Sequence, residues 1–403
     1  MNTAYDTSIP HAHVTDVEVL PPPTAPPSYA HRPGIGSPQE SSYRLPAPSG
    51  SHTMEIQQKQ KNRLTDQGYT SGLANSLSDM KLLFPLRIWI VDNSGSMQSR
   101  DGNRFVETTS SQNVKIVPCT RWAEIQECVT YHIQMSALLQ APTSFRLLNH
   151  PGAHVGKQQF DLALDGEENI PQETADACRI ITNARPSGVT PLTNHIIEIQ
   201  KAVCLMKEDL IQRGQRVSLI IATDGLPTDD RGQGGRHVHD MFIEALRSLE
   251  GLPMWIVIRL CTDEDDVVDF YSSLDDQLEL SIEVLDDFVS EAKEVHKHNE
   301  WLNYALPLHR MREMGFHDRV FDMLDERDLT QEELHQFCMF LFGVENMDGM
   351  PDPAADWSGF LRRISELNER EAPQWDPLRK RVLPWIDTKK LNKRYGESRC
   401  CIM

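Results

Sequence analysis

The chain has 403 residues, enough for one large domain with appendages, and 39% of them are apolar, a share low enough that part of the chain stays outside any packed core. A formal net charge of −19 is the wrong sign for general nucleic-acid binding. The sequence has no N-terminal apolar segment of signal-peptide type and no apolar run of the roughly 18 residues that a span needs, so it reads as intracellular, neither exported nor membrane-spanning. The eight cysteines (Cys119, Cys128, Cys178, Cys204, Cys261, Cys338, Cys400 and Cys401) show no Cys-x-x-Cys spacing. Most lie in apolar periodic stretches and read as buried thiols rather than zinc ligands.

Residues 1–77 read as a disordered, Pro-rich arm with few apolar residues at helical or strand spacing. Within it Pro26-Pro27-Ser28-Tyr29 has the form P-P-x-Y, anchored by Pro26, Pro27 and Tyr29. That form is similar to the ligands of WW domains, modules found in some ubiquitin ligases. A preformed polyproline helix loses little entropy on docking to an aromatic groove. Met54–Arg63 has helical character, followed by a polar stretch leading to the first strand.

Leu86–Val91 is a short apolar run rich in β-branched and aromatic residues, which predicts a buried strand. It ends in Asp92-Asn93-Ser94-Gly95-Ser96, a D-x-S-x-S run. A turn that coils after Asp92 brings positions one, three and five to one side. One carboxylate and two hydroxyls are hard oxygen ligands that suit Mg²⁺, with Mn²⁺ or Ca²⁺ as alternatives. Taken alone, such a cluster is also ordinary turn chemistry. Asp101–Ser111 reads as a polar loop, and Trp122, Ile125, Val129 and Ile133 recur at helical spacing. Ser144–Leu148 is a second strand and Lys157–Leu164 an antiparallel edge strand. Glu173–Ala184 and Leu192–Arg213 are helices flanking the loop Ser187-Gly188-Val189-Thr190-Pro191, where Thr190 offers a further hydroxyl. Val217–Thr223 is a central strand that delivers a second carboxylate, Asp224, at its end. Arg236–Leu249 is an amphipathic helix; His237 and His239, two apart on it, do not share a face and do not read as a metal pair. Met254–Cys261 is a strand, Asp265–Leu274 a helix, Leu280–Leu285 a last strand and Asp286–His296 a last helix. Strands alternating with helices predict an α/β fold with a mostly parallel sheet covered on both faces.

The D-x-S-x-S run, the Thr190 loop and the Thr223-Asp224-Gly225 strand end, in that order, resemble the von Willebrand factor A domain and its metal-ion-dependent adhesion site. The resemblance covers roughly residues 80–290 and implies a Rossmann-like, doubly wound sheet, here bounded at 78–298. It implies a divalent cation held by Asp92, Ser94, Ser96, Thr190 and Asp224. The two serines would bind directly, Thr190 and the aspartates directly or through water, and the sixth position would belong to water or to a partner's Glu or Asp.

Residues 299–372 show further helical periodicity and read as an extension of no recognised role. Pro373, Pro377 and Pro384 interrupt the remaining residues, so 373–403 reads as a basic tail. In Leu378–Arg399 eight basic residues (Arg379, Lys380, Arg381, Lys389, Lys390, Lys393, Arg394, Arg399) face only Asp387 and Glu397. The chain ends Cys400-Cys401-Ile402-Met403, a C-a-a-X pattern for farnesylation of Cys400. One lipid chain with a basic patch anchors a protein to an anionic membrane, here at its cytosolic face. The expected function is therefore a membrane-anchored scaffold or adaptor, not an enzyme, that captures an acidic partner residue through the cation and recruits a WW-domain protein through its arm. The alternatives are a metal-dependent hydrolase using the same cation, for which no positioned base is visible, and a domain whose metal is purely structural.

Overall fold

The run Leu86–Val91 forms the strand β1 in the middle of the sheet, buried along its whole length. The computed structural model describes residues 43, 45, 54–107, 114–316, 318–344 and 349–396. Two helices precede the sheet, α1 (Met54–Asp66) and α2 (Ser71–Leu83). After β1 come the hairpin β2 (Gly102–Glu107) and β3 (Val114–Cys119), α3 (Arg121–Leu139), β4 (Thr143–Leu147) and β5 (Gln159–Leu162). Then follow α4 (Ile170–Asn183), α5 (Leu192–Gln212), β6 (Val217–Thr223), α6 (Arg236–Arg247) and β7 (Met254–Leu260). The short helices α7 (Asp265–Ser272) and α8 (Leu274–Gln277), β8 (Ile282–Leu285) and α9 (Phe288–His298) complete the part expected to hold the sheet.

The sheet has six strands in the order β5-β4-β1-β6-β7-β8. All neighbours run parallel except β5, which is antiparallel to β4, as expected of an edge strand. Numbered within the sheet alone, the order is 3-2-1-4-5-6. The chain thus builds outward on one side of β1, then returns to build on the other, and the strand order reverses between β1 and β6. Open α/β sheets bind ligands at such a reversal, outside the strand C-termini.

Side chains alternate along each strand, so each strand feeds two cores. Leu86, Ile88 and Ile90 of β1 join Leu219 and Ile221 of β6 in one apolar cluster, covered by α5, α6 and α7. Trp89 and Val91 join Ile220, Ala222, Trp255 and Val257 in the other, covered by α3, α4 and helices from both chain flanks. On α5, the spacing of Leu192, Ile196, Ile199, Val203 and Leu210 puts all five on the buried face. Each such side chain contributes about 1.5–3 kcal/mol relative to exposure.

Three expectations are corrected, and a fourth left open by the sequence is decided. Asp101–Ser111 is not simply a polar loop, because Gly102–Glu107 pairs with Val114–Cys119. The arm does not extend to residue 77: in α1 and α2, Leu64, Leu73, Leu77 and Met80 are buried, together with Tyr69 between them. The helical extension, whose placement the sequence left open, lies in the same compact unit as the sheet. Its helices α10 (Leu306–Glu313), α11 (Arg319–Glu326), α12 (Gln331–Phe342) and α13 (Trp357–Asn368) share the second cluster with the sheet. Finally, the basic tail is folded through its described residues, as the hairpin β9 (Gln374–Asp376) and β10 (Arg381–Leu383) and the helix α14 (Thr388–Tyr395), because Trp385, Ile386 and Leu391 are buried. The cysteine expectation holds for Cys128, Cys261 and Cys338, whereas Cys204 is exposed. Pro26, Pro27, Tyr29 and Cys400 lie outside the described residues.

The flanks lock together tightly. A Cβ built on Gly72 of α2 would lie 2.0 Å from the Phe340 carbonyl oxygen and 2.4 Å from the Gly343 nitrogen, so only glycine admits this crossing of α2 and α12. Buried ion pairs fasten α10 to the sheet. Arg312 bonds Glu283 of β8 (2.7 Å), Glu291 of α9 (2.6 Å) and Asp325 of α11 (3.0 Å). Glu313 accepts from Arg310 (2.8 Å) and lies 3.0 Å from His132 and 3.5 Å from Arg259 of β7. Breaking such a pair strands its partner charge in the interior. Glu313→Gln is therefore expected to lower stability by about 3–5 kcal/mol. Urea unfolding of the full chain checks this, and a loss within experimental error would show that the extension is held by apolar packing alone.

Candidate metal centre

Asp92 and Asp224 leave the C-terminal ends of adjacent parallel strands. Val91 pairs with Ala222, and the Asp92 N–H still donates to the Ala222 carbonyl (2.9 Å) before the two chains part. Both carboxylates are buried. Asp92 Oδ1 accepts from the Ser94 backbone N–H (2.8 Å) and Oδ2 from the Thr223 hydroxyl (2.7 Å). The Ser94 and Ser96 hydroxyls lie 2.9 Å apart, and Ser96 Oγ donates to Asp224 Oδ1 (2.8 Å). A continuous polar chain therefore runs from Asp92 through Ser94 and Ser96 to Asp224. The coiled turn that makes this possible is a short 3₁₀ segment, Gly95–Gln98.

Thr190 reaches the same place through its loop. The Ser187 N–H donates to the Asn93 carbonyl (2.7 Å) and the Gly95 N–H to the Gly188 carbonyl (3.2 Å), stitching the two loops together. Asn149, just after β4, fastens both. Its backbone N–H donates to Asn93 Oδ1 (2.7 Å), and its side-chain Nδ2 donates to the Val189 carbonyl (2.7 Å). Gly188 has φ +95°, and a Cβ there would sit 2.4 Å from Asn149 Oδ1. The Thr190 N–H donates to Thr228 Oγ1 (2.9 Å) and its carbonyl accepts from the Thr228 N–H (2.9 Å), tying the loop to the segment after Asp224. All five residues singled out in the sequence thus lie on three neighbouring loops at the C-terminal end of the sheet's central strands.

Sequence reasoning missed Arg121, the first residue of α3. Its guanidinium donates to Asp224 Oδ2 (3.1 Å), to Asp101 Oδ1 (2.8 Å) and to Glu264 Oε1 (2.7 Å). Arg121 is buried, while the Asp101 and Glu264 side chains are 54% and 62% exposed, so one interior cation ties two surface carboxylates to the site. Asn149 and Thr223 were also missed. An arginine at a helix start has no signature of its own, because its partners come from three remote segments.

Burial, then the neighbouring Asp224 charge, raises the Asp92 carboxyl to about 6; hydrogen bonds from Ser94 and Thr223 only partly offset this. Asp224 is raised too, by burial, with Ser96 and Arg121 pulling it down. Each Asp92 oxygen takes one donor and retains acceptor capacity, and no guanidinium or ammonium is bonded to Asp92 among the described residues. Two buried carboxylates and two or three hydroxyls on converging loops are a donor set that could hold a hard divalent cation.

A second group, Cys128, His132 and Glu313, brings three ligating atoms within 4.8 Å of one another. Its electrostatics are wrong for a cation. The Arg310 and Arg259 guanidiniums already face Glu313, burial raises the Cys128 thiol, and burial lowers the His132 imidazole. That group is better explained as the ion-pair hub of α10. His239 lies against the Phe270 ring (centroids 5.0 Å apart).

No protein-family model matches the chain, and no curated protein does. Among solved structures, a mutant of the PilB minor pilin from Streptococcus sanguinis is similar at 14% identity with a TM-score of 0.33, over 50% of this chain and 56% of that one. The chain thus spans little more than half the length of that pilin, and so loose a superposition assigns neither fold nor function.

The raised Asp92 carboxyl has a pH consequence. A group whose folded-state value is lifted from 3.8 to about 6 favours folding fully below about 4, and that contribution is lost as pH rises through about 6. In chelator, Asp92→Asn should therefore be more stable than wild type above about pH 6, by about 2–3 kcal/mol, with the gap closing toward about pH 4. Urea midpoints at the two pH values check this; a gap independent of pH would contradict it.

Proposed function

We propose that this chain is a protein-binding module of the von Willebrand factor A type, in which Mg²⁺ held by Asp92, Ser94, Ser96, Thr190 and Asp224 captures an acidic side chain of a partner. The observation that carries this reading is the polar chain Asp92–Ser94–Ser96–Asp224, placed where the strand order reverses. Two buried like charges need compensation, and of the two Arg121 reaches Asp224 but not Asp92. A divalent cation would supply compensation for both and present an open coordination position to a carboxylate. Mn²⁺ and Ca²⁺ suit the same oxygen set.

We extend the proposal to location and partners from the sequence. Farnesylation of Cys400 would anchor the chain at the cytosolic face of a membrane, and Pro26, Pro27 and Tyr29 would offer a ligand to a WW domain. Among the described residues no helix is long and apolar enough to cross a membrane. The basic surplus near the C-terminus helps less than its count suggests. Lys390 pairs with Glu300 (2.9 Å), Arg394 with Asp328, and Arg379 lies 3.4 Å from Asp376. Those charges are partly engaged by the fold rather than free for anionic lipid. The module would act as a scaffold or adaptor.

Mg²⁺ should raise the thermal midpoint of the full chain by several degrees near neutral pH. Asp92→Ala or Asp224→Ala should weaken cation binding at least tenfold. Pull-downs with the full chain in Mg²⁺ or EDTA should retain a partner only with wild type and Mg²⁺; the same proteins retained by Asp92→Ala in EDTA would sink the proposal. Membrane location should be separable from capture. Cys400→Ser should release the chain to the cytosol with metal-dependent capture intact, and persistence on membranes would remove the lipid anchor from this account.

A further inference from the structure

At the opposite end of β1 from Asp92 lies a buried charge with no counterpart. Arg87 is 1% exposed, and none of its Nε, Nη1 and Nη2 atoms has a hydrogen-bond partner among the described residues. A guanidinium carries five N–H donors. The other deeply buried arginines show what the fold normally does with them. Arg121, Arg259, Arg310 and Arg312 each face one or more carboxylates at 3.5 Å or less. Arg87 faces none, and burial alone lowers its pKa to about 10. The nearby charge that feels it, Lys81 of α2, is also positive.

A second unpartnered donor stands beside it. Ser218 is the register partner of Arg87 on the adjacent strand β6, so both side chains emerge on the same face of the sheet. The Ser218 hydroxyl is wholly buried and likewise has no partner among the described residues. The turn after α10 covers Ser218: Gly315, at φ +83°, approaches so closely that a Cβ would lie 2.2 Å from Ser218 Oγ and 3.4 Å from the Trp255 ring. A guanidinium and a hydroxyl aimed into a closed apolar layer are a donor set for an anion, since burying them unpaired is costly.

We propose that Arg87 and Ser218 hold a small monovalent inorganic anion of chloride size between the sheet and the C-terminal helices. One negative charge would match the one deeply buried guanidinium that lacks a carboxylate among the described residues. The anion would complete the ion pair that the sequence leaves open, and would tie α10 to β1 and β6. This inference is independent of the cation site.

The deciding experiment is diffraction from crystals of the full chain grown in bromide. An anomalous peak within hydrogen-bonding distance of both Arg87 and Ser218 is expected; no peak there overturns the proposal and leaves Arg87 to be satisfied by water. Thermal midpoints in chloride and in gluconate at matched ionic strength test the same point in solution. Wild type should gain several degrees specifically in chloride. Arg87→Met should lose that dependence, and Ser218→Ala should raise the chloride concentration needed for half the gain about tenfold. A full chloride response in Arg87→Met also overturns the proposal. Should that variant fail to fold, the bromide peak in wild type still decides.

Discussion

Asp92 and Asp224 terminate neighbouring parallel strands, and their burial leaves two like charges with little water to screen them. Parallel pairing fixes where they sit, because β1 and β6 run in register to Val91 and Ala222 before diverging. The surrounding groups answer that constraint. Ser94 folds back so that its N–H caps one Asp92 oxygen, Thr223 points inward to cap the other, and Ser94 and Ser96 bridge to Asp224. The Thr190 loop is held against this turn by backbone bonds and by Asn149, so that loop is set in place by bonds that involve neither carboxylate.

Arg121 gives the site its asymmetry. It neutralises Asp224 from inside and, through Asp101 and Glu264, holds an acidic rim at the surface. Under the proposed function such a rim draws cations toward the cleft and repels a bare acidic ligand. Cation and partner would then bind as a unit, the metal first changing the sign of the field that the partner meets.

Much of this was legible in the sequence because strand burial in a parallel sheet writes a plain signal: Leu86–Val91, Val217–Thr223 and Met254–Leu260 are mostly apolar runs, broken within by only Arg87, Ser218 and Arg259, and buried on both faces. The spacing of Asp92, Ser94 and Ser96 survives as local geometry, and strand order carries Asp224 to meet them. What was not legible depends on remote packing. Gly102–Glu107 reads as polar, yet its pairing with β3 makes it a strand. Ser71, Asn75, Ser76 and Ser78 make α2 look like linker, although Leu73, Leu77 and Met80 fall on one buried face. Prolines and positive charge masked the folded tail, where Trp385 and Ile386 are 1% exposed. Arg121 and Asn149 carry no motif because their roles exist only after the fold has assembled.

The glycine-to-backbone crossing of α2 and α12 bears on how the chain is made. One face of the sheet is covered in part by helices that the ribosome delivers last, after β8 is already complete. At about 5–20 residues per second, the stretch from β8 to the end of α12 takes several seconds to emerge. Through that interval Trp255 and its neighbours lack the part of their cover that follows β8, and Gly72 waits for a partner far downstream in the chain. Assembly of this protein is therefore biased toward completion late in or after translation, with a nascent state whose partly covered apolar face is a natural client for chaperones.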